Sequence, residues 1–347
     1  MSEKWDEKVI ELAKSLINCQ SYSGHEDKAA EALKAYMKAA GVFDEIEIDC
    51  YGNVIGHIKG KNPGSKVLFD GHIDTVPVGN LKDWKHDPFH AVVEDGKLYG
   101  RGAADMKGAV AAFTVAAHRY AVENGKNFAG DVYVAGVVHE ECFEGVAARK
   151  ISEKVKPDYV VIGEASEMNL KVGQRGRAEI VVETFGVPAH SANPEKGVNA
   201  VYKMCEAIQA IREIEPPVQD KLGKGILELT DVKSSPYPGA SVVPEYCRAT
   251  YDRRLLVGET KESVLQPIIE KMEELKKKDP QFSYKVSYAV GKEKCYTGEE
   301  IQGERFFPGW LFGAEEEWVA KIKSELEKEG FLVIVGKVPR RYFEKRW

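Results

Sequence analysis

Three times along this chain a short apolar run gives way, at its carboxyl end, to acids or a histidine. The run 67–69 leads through Asp70 and Gly71 into His72-Ile73-Asp74-Thr75. The run 131–138 ends in His139-Glu140-Glu141, and the run 159–162 ends in Gly163-Glu164. Apolar runs of this length are too short for helices and read as buried strands. Helical patterns lie between them: 106–125 is a stretch of small and apolar residues, and Lys156-Pro157 breaks the helix ahead of the third strand. Strands that alternate with helices predict an α/β sheet, and such sheets bind ligands outside the carboxyl ends of their strands. The repeated pattern constrains both the fold class and the place of a site.

Upstream, Trp5, Val9, Leu12 and Leu16 fall on one face of a helix. Ser23-x-x-Glu26 matches a capping box and predicts the start of a second helix, with Ala30, Leu33, Met37 and Ala40 inward and Gly41 as its stop. Short strands at 46–49 and 54–58 flank Gly52-Asn53, a hairpin-type turn. Near Gly173 the texture changes. Strand patterns at 177–185, 225–233, 242–255 and 284–290, with helical patterns at 198–214 and 261–277, give the order β-α-β-β-α-β. That is the split βαβ, ferredoxin-like arrangement. The expected organisation is a first domain over 1–172, an inserted domain over 173–291, and a return to the first domain over 292–347. In that return a helix at 315–329 and a strand at 331–335 rejoin the first sheet.

The 347 residues suit about two domains, and the net charge of −6 argues against nucleic acid or an anionic membrane as partner. No apolar run approaches the roughly 18 residues of a membrane helix, and the start Met1-Ser2-Glu3-Lys4-Trp5-Asp6 is charged, so a cytoplasmic location is expected. The six cysteines form no Cys-x-x-Cys and read as free thiols.

His72 and Asp74 stand two apart, so an extended backbone turns both to one face. One imidazole can then bind a metal while a neighbouring carboxylate takes the N–H of its other nitrogen. The strand-end groups His72, Asp74, Glu140, Glu141 and Glu164, with Asp105 after a glycine-rich turn, suit Zn²⁺, or Co²⁺ or Mn²⁺, one or two ions per chain. Acids converging on one rim repel each other, and bound cations relieve that repulsion. Of two adjacent glutamates, one can bind metal while the other takes and returns a proton. A structural Ca²⁺ or Mg²⁺ site fits an imidazole poorly.

These residues carry a resemblance. Gly71-His72-Ile73-Asp74-Thr75-Val76-Pro77, Gly100-Arg101-Gly102 with Asp105-Met106-Lys107-Gly108, and Glu140-Glu141 resemble the M20 metallopeptidases and amidohydrolases, a family that includes acetylornithine deacetylase, succinyl-diaminopimelate desuccinylase and glutamate carboxypeptidase. The resemblance implies a zinc-peptidase-like α/β domain with an inserted ferredoxin-like lid that dimerises. It implies that His72, Asp105 and Glu164 hold one metal ion, that Asp105 bridges to a second held by Glu141, that Glu140 is the general base and that Asp74 orients His72. The peptide after Asp105 would be cis. In the lid, Pro188-Ala189-His190-Ser191-Ala192-Asn193-Pro194 with Gly197-Val198-Asn199-Ala200 matches the family's motif. His190 would stabilise an oxyanion in the partner protomer's site, and Asn199 and Arg253 or Arg254 would bind substrate, an arginine fork fitting a carboxylate. The implied substrate is a small N-acyl amino acid or dipeptide, cleaved at an amide bond.

The pattern departs from the family in one respect. The second metal's last ligand is expected from a histidine late in the chain, and here every histidine lies at or before 190. The tail Gly336-Lys337-Val338-Pro339-Arg340-Arg341-Tyr342-Phe343-Glu344-Lys345-Arg346-Trp347 is basic and aromatic, unlike the family's closing elements, as a truncated, frameshifted or shortened form would be. A sheet without those closing elements would carry an uncovered apolar edge. A non-catalytic or weakly active metal-binding homologue is therefore the alternative reading.

Overall fold

A computed structural model describes residues 2–331 apart from Met168, together with Val333 and Val335–Lys337. The expectations for the tail over 338–347 lie outside the described residues. The chain divides into two units. One takes the chain up to Ala165 and again over Gly291–Gly303, and the other takes Ser166–Val290 and the chain from Glu304 on. No described helix is long and apolar enough to cross a membrane.

The first unit opens with helices α1 (Ser2–Ile17) and α2 (Asp27–Ala40). Helix α2 buries Ala29, Ala30, Leu33 and Met37 and stops at Gly41, whose left-handed φ of 68° suits glycine and lets its N–H reach the Lys38 carbonyl. The capping box is not made. The N-cap is Glu26 and its side chain bonds nothing in the first turn, because Ser23 and Glu26 are engaged elsewhere. Strands β1 (Glu45–Ile48) and β2 (Val54–Lys59) pair as an antiparallel hairpin. Asp49 Oδ1 shapes the turn by accepting the N–H groups of Tyr51, Gly52 and Asn53. Then come β3 (Asn62–His72), a small hairpin of β4 (Val92–Glu94) and β5 (Lys97–Tyr99), α3 (Lys107–Glu123) and β6 (Ala129–Val137). They are followed by α4 (Glu140–Phe143), α5 (Val146–Val155) and β7 (Tyr159–Ile162).

The sheet order is β1-β2-β6-β3-β7, with β3 parallel to both β6 and β7. Three parallel strands thus present their carboxyl ends on one rim. One expectation fails here. The apolar run of β7 is not buried: Tyr159, Val160, Val161 and Ile162 are 43%, 45%, 38% and 54% exposed. The strand stands at the end of the sheet among the described residues, laddered there to β3.

The second unit holds β8 (Leu170–Gln174), β9 (Gly176–Phe185), α6 (Ala200–Arg212), the short pair β10 (Val218–Gln219) and β11 (Gly223–Lys224), β12 (Ile226–Ser235), β13 (Tyr246–Leu255), α7 (Lys261–Lys278) and β14 (Ser283–Tyr288). The antiparallel sheet β12-β13-β9-β14, with two helices between its strands in sequence, is the split βαβ arrangement read from pattern. Its core is made by alternation. Ala178, Ile180 and Val182 of β9 and Cys247, Ala249, Tyr251 and Leu255 of β13 meet Met204, Ala207 and Ile211 of α6 and Val264, Ile268 and Met272 of α7. Phe282, 1% exposed, seals the end of that core.

Beyond Glu304 the described chain forms helix α8 (Glu317–Lys328), a strand piece Phe306–Phe307 paired with β9, and two more, Trp310–Leu311 and Val335–Lys337, on either side of β8. The strand expected at 331–335 to rejoin the first sheet is therefore displaced. Leu332 and Ile334 lie outside the described residues, and the described strand piece Val335–Lys337 pairs with β8. Periodicity marks a strand but does not choose its partner. Phe282→Ala is expected to destabilise the second unit by about 3–5 kcal/mol, the cost of an aromatic-sized cavity. Urea unfolding followed by tyrosine fluorescence checks this, and a loss below about 1 kcal/mol would remove Phe282 from the core account.

Candidate active site

The rim collects its side chains from four segments. His72 is the last residue of β3 and is 1% exposed. Its Nδ1 lies 2.9 Å from the backbone carbonyl of Asp74 and donates to it, which leaves Nε2 as the ligand nitrogen. Around Nε2 stand three carboxylates: Asp105 Oδ1 at 3.0 Å, Glu164 Oε1 at 3.5 Å and Glu140 Oε2 at 3.8 Å. Among the described residues two sets of ligand atoms lie, each within itself, inside 4.8 Å: His72 with Glu140 and Glu164, and His72 with Asp105 and Glu141. All five residues expected around a metal pair therefore converge.

Asp105 is carried by the glycine-rich turn ahead of α3, and its peptide to Met106 is cis. The turn closes tightly: a Cβ on Gly108 would lie 2.2 Å from the Ala103 carbonyl oxygen. Lys107, 1% exposed, anchors it by donating from Nζ to the carbonyls of Leu16 and Cys19. Glu140 and Glu141 begin α4 behind His139, whose φ of 57° is left-handed. Such a conformation costs a non-glycine residue about 1–2 kcal/mol, so something must hold it.

Asp74 does more than orient His72. Its carboxylate is fully buried and stands 3.5 Å from His72 Nδ1, farther than the residue's own carbonyl. Its oxygens accept the N–H of Glu140 at 3.1 Å, the N–H of Glu141 at 3.1 Å and the hydroxyl of Ser23 at 2.7 Å. Burial alone would raise its pKa, yet these donors and His72 hold it below the usual carboxylate range. Glu140 goes the other way. Burial pushes it up to about 8, with Glu164, Asp74 and Glu141 adding to that against His72. Burial lowers the affinity of His72 for a proton, but Asp74 and the surrounding acids overcome it and raise the imidazole to about 10. A cluster of this kind holds more negative charge than one imidazole balances. One borderline nitrogen and several hard oxygens, all in reach of one point, fit a divalent cation.

The residues expected to bind substrate fare unevenly. Arg253 is 5% exposed and donates to Glu259 and to the carbonyls of Arg254 and Ile226. It lies on the core face of β13, so it is a structural ion pair and not a carboxylate clamp. Arg254 points to the other face, where its Nε donates to Asp252 at 2.9 Å. Asn199 caps α6, its side-chain oxygen accepting the N–H groups of Val201 and Tyr202. His190 is exposed, with Nδ1 accepting the N–H of Ala192 at 3.1 Å.

Two residues to which the motifs gave no role in the site, Arg101 and Glu26, also make specific contacts in the first unit. Arg101 sits 5.0 Å over the Trp84 ring and donates to the Pro77 carbonyl at 3.2 Å. Glu26 is fully buried and accepts the N–H groups of Gly24 at 3.0 Å and His139 at 3.1 Å. The Gly-Arg-Gly segment drew attention to Arg101, but nothing in the spacing linked Glu26 to His139.

Residues 68–330 match the model of peptidase family M20/M25/M40. The chain belongs to this family. It is 32% identical over 311 residues to YgeY, an uncharacterized protein of Escherichia coli (strain K12), covering 87% of this chain and 73% of YgeY. It is 35% identical over 216 residues to a succinyl-diaminopimelate desuccinylase of Wolbachia pipientis subsp. Culex pipiens (strain wPip), covering 59% of this chain and 54% of that protein. The Bacillus subtilis YXEP protein, a dinuclear metal-binding peptidase of the family, shares the fold at a TM-score of 0.67 and 12% identity, over 97% of this chain and 83% of that one. Family membership supports a metal-dependent hydrolase of amide bonds, and an α/β fold with an inserted lid domain.

The buried Glu26 predicts a pH signature. Burial, then the Asp74 charge, lifts its carboxyl from the ordinary 4.5 to about 7 against three backbone N–H donors. The folded chain holds this proton more tightly than the unfolded chain, so the stability linked to it is full below about pH 4.5 and is lost as pH rises through about 7. Glu26→Gln is expected to flatten the fall in stability between about pH 5 and about pH 8 by up to about 3 kcal/mol. Urea midpoints of parent and variant at both pH values measure it, and identical slopes would refute it.

Proposed function

We propose that this chain hydrolyses an amide bond in an N-acyl amino acid or small peptide, using Zn²⁺, Co²⁺ or Mn²⁺. The observation that supports this most is the packing of three carboxylates from separate segments within 3.0–3.8 Å of one buried imidazole nitrogen. In this reading His72, Asp105 and Glu164 hold one ion, and Asp105 and Glu141 reach a second. A bound divalent ion supplies Lewis-acid polarisation of the substrate carbonyl and lowers the pKa of water.

The chain's own groups do the rest. Glu140 Oε2 is the general base that takes a proton from the attacking water and delivers it to the leaving nitrogen. Asp74 keeps Glu140 and Glu141 at fixed height by holding their N–H groups, and the Asp74 carbonyl keeps the His72 ring turned with Nε2 outward. Arg254, on the face of β13 away from the helices, is the arginine suited to a substrate carboxylate. The ferredoxin-like unit serves as a lid and pairs two copies as a homodimer, with His190 stabilising the oxyanion in the partner protomer's site. The protein works in the cytoplasm.

The full chain loaded with each metal is assayed for amino acid released from N-acetyl and N-succinyl amino acids and dipeptides. Glu140→Gln is expected to lower kcat by about 10²–10⁴-fold with metal content unchanged, as removal of a general base does. No turnover with any metal would sink the hydrolase reading.

A second reading, a weakly active or inert metal-binding homologue, has its own observation. Both donor groups draw on the same imidazole, His72, and no histidine follows His190 in the sequence. One ion per chain is therefore expected to bind tightly and a second at least about tenfold more weakly, since one imidazole serves both donor groups. Calorimetric titration with Zn²⁺ counts them, and two equally tight ions would contradict it.

A further inference from the structure

The Ser23-x-x-Glu26 motif is free of the helix it was expected to cap, and its two side chains reach the site from opposite ends of one short segment. Ser21 Oγ donates to the Ile73 carbonyl at 2.6 Å, and the Thr75 N–H donates to the Ser21 carbonyl at 2.8 Å. These bonds, with a parallel bridge between Tyr22 and Thr75, tie the segment to the residues after β3. Ser23 Oγ then donates to Asp74 Oδ2, and Glu26 Oε1 accepts the N–H of His139. The segment thus spans from the His72–Asp74 turn to the turn that carries Glu140 and Glu141.

Glu26 is an expensive way to bridge that gap. It is 0% exposed, and its second oxygen, Oε2, has no hydrogen-bond partner among the described residues. A buried carboxylate with an unsatisfied oxygen costs stability. What Glu26 does hold is the peptide of His139, a residue in the left-handed region directly before Glu140. Side chains that orient metal ligands and bases from behind commonly control affinity and rate by 10–100-fold without touching the ion.

We propose that Ser23 and Glu26 are positioning residues: Ser23 fixes the Asp74 carboxylate, Glu26 fixes the His139 peptide, and together they set the backbone from which Glu140 and Glu141 reach the metal. This rests on the metal site of the proposed function but not on the reaction carried out there. Ser23→Ala removes one donor and no bulk, and Glu26→Ala removes the acceptor. Ser23→Thr and Glu26→Gln keep a hydroxyl and a carbonyl oxygen in place.

The test is calorimetric titration of the full chain and these four variants with Co²⁺ alone, alongside thermal unfolding of the metal-free proteins and steady-state kinetics on the best N-acyl amino acid. Ser23→Ala and Glu26→Ala are expected to weaken Co²⁺ binding about tenfold and to lower kcat about 10–100-fold, with KM within about threefold. Ser23→Thr and Glu26→Gln recover the affinity to within about threefold. Co²⁺ affinity unchanged in Ser23→Ala and Glu26→Ala overturns the proposal. So does a loss that the conservative variants fail to recover, a loss that merely follows the metal-free melting temperature, or a parent chain that does not bind Co²⁺. A parent that binds Co²⁺ and hydrolyses nothing refutes the hydrolase reading alone, and the affinities still decide the roles of Ser23 and Glu26.

Discussion

The fully buried carboxylate of Asp74 is the interaction on which the first unit's site depends. Taking such a charge out of water costs several kcal/mol unless donors surround it. Ser23, Glu140 and Glu141 supply those donors, and His72 stands close by. The electrostatic need of one side chain therefore draws together a loop, a strand end and the start of a short helix. Once they meet, the remaining acids are forced within a few ångströms of one imidazole, and that crowding creates the demand for a cation.

Much of this was legible in the sequence because it follows from local rules. Apolar runs ending in acids marked β3, β6 and β7, and their parallel pairing put His72, Glu140, Glu141 and Glu164 on one rim. Alternation and helical spacing marked the split βαβ unit element by element. What escaped was whatever depends on a partner far along the chain. Ser23 and Glu26 have the spacing of a capping box, and only the tertiary fold sends them to Asp74 and His139. A strand over 331–335 was expected in the first sheet, but strand patterning carries no address, and the strand piece Val335–Lys337 pairs with β8.

The two arginines of β13 give a sharper case. Asp252-Arg253-Arg254 offers two guanidinium groups, and motif matching does not choose between them. The period-2 series Cys247, Ala249, Tyr251, Leu255 already assigns the odd positions to the helix-covered face. Arg253 belongs to that series, and its pairing with the half-buried Glu259 follows from it. Arg254 shares the opposite face with Asp252, which also receives Arg177 at 2.7 Å. Periodicity applied within a motif, and not only to strands as wholes, separates the two.

The exposed edge strand has a consequence for the rim as well. Glu164 follows β7 by two residues, and among the described residues β7 is laddered on one side, by β3. Whatever ion captures Glu164 thereby adds to the free energy holding β7 in register. By reciprocity, any chain that lengthened the sheet along β7 would tighten ion capture by the same factor.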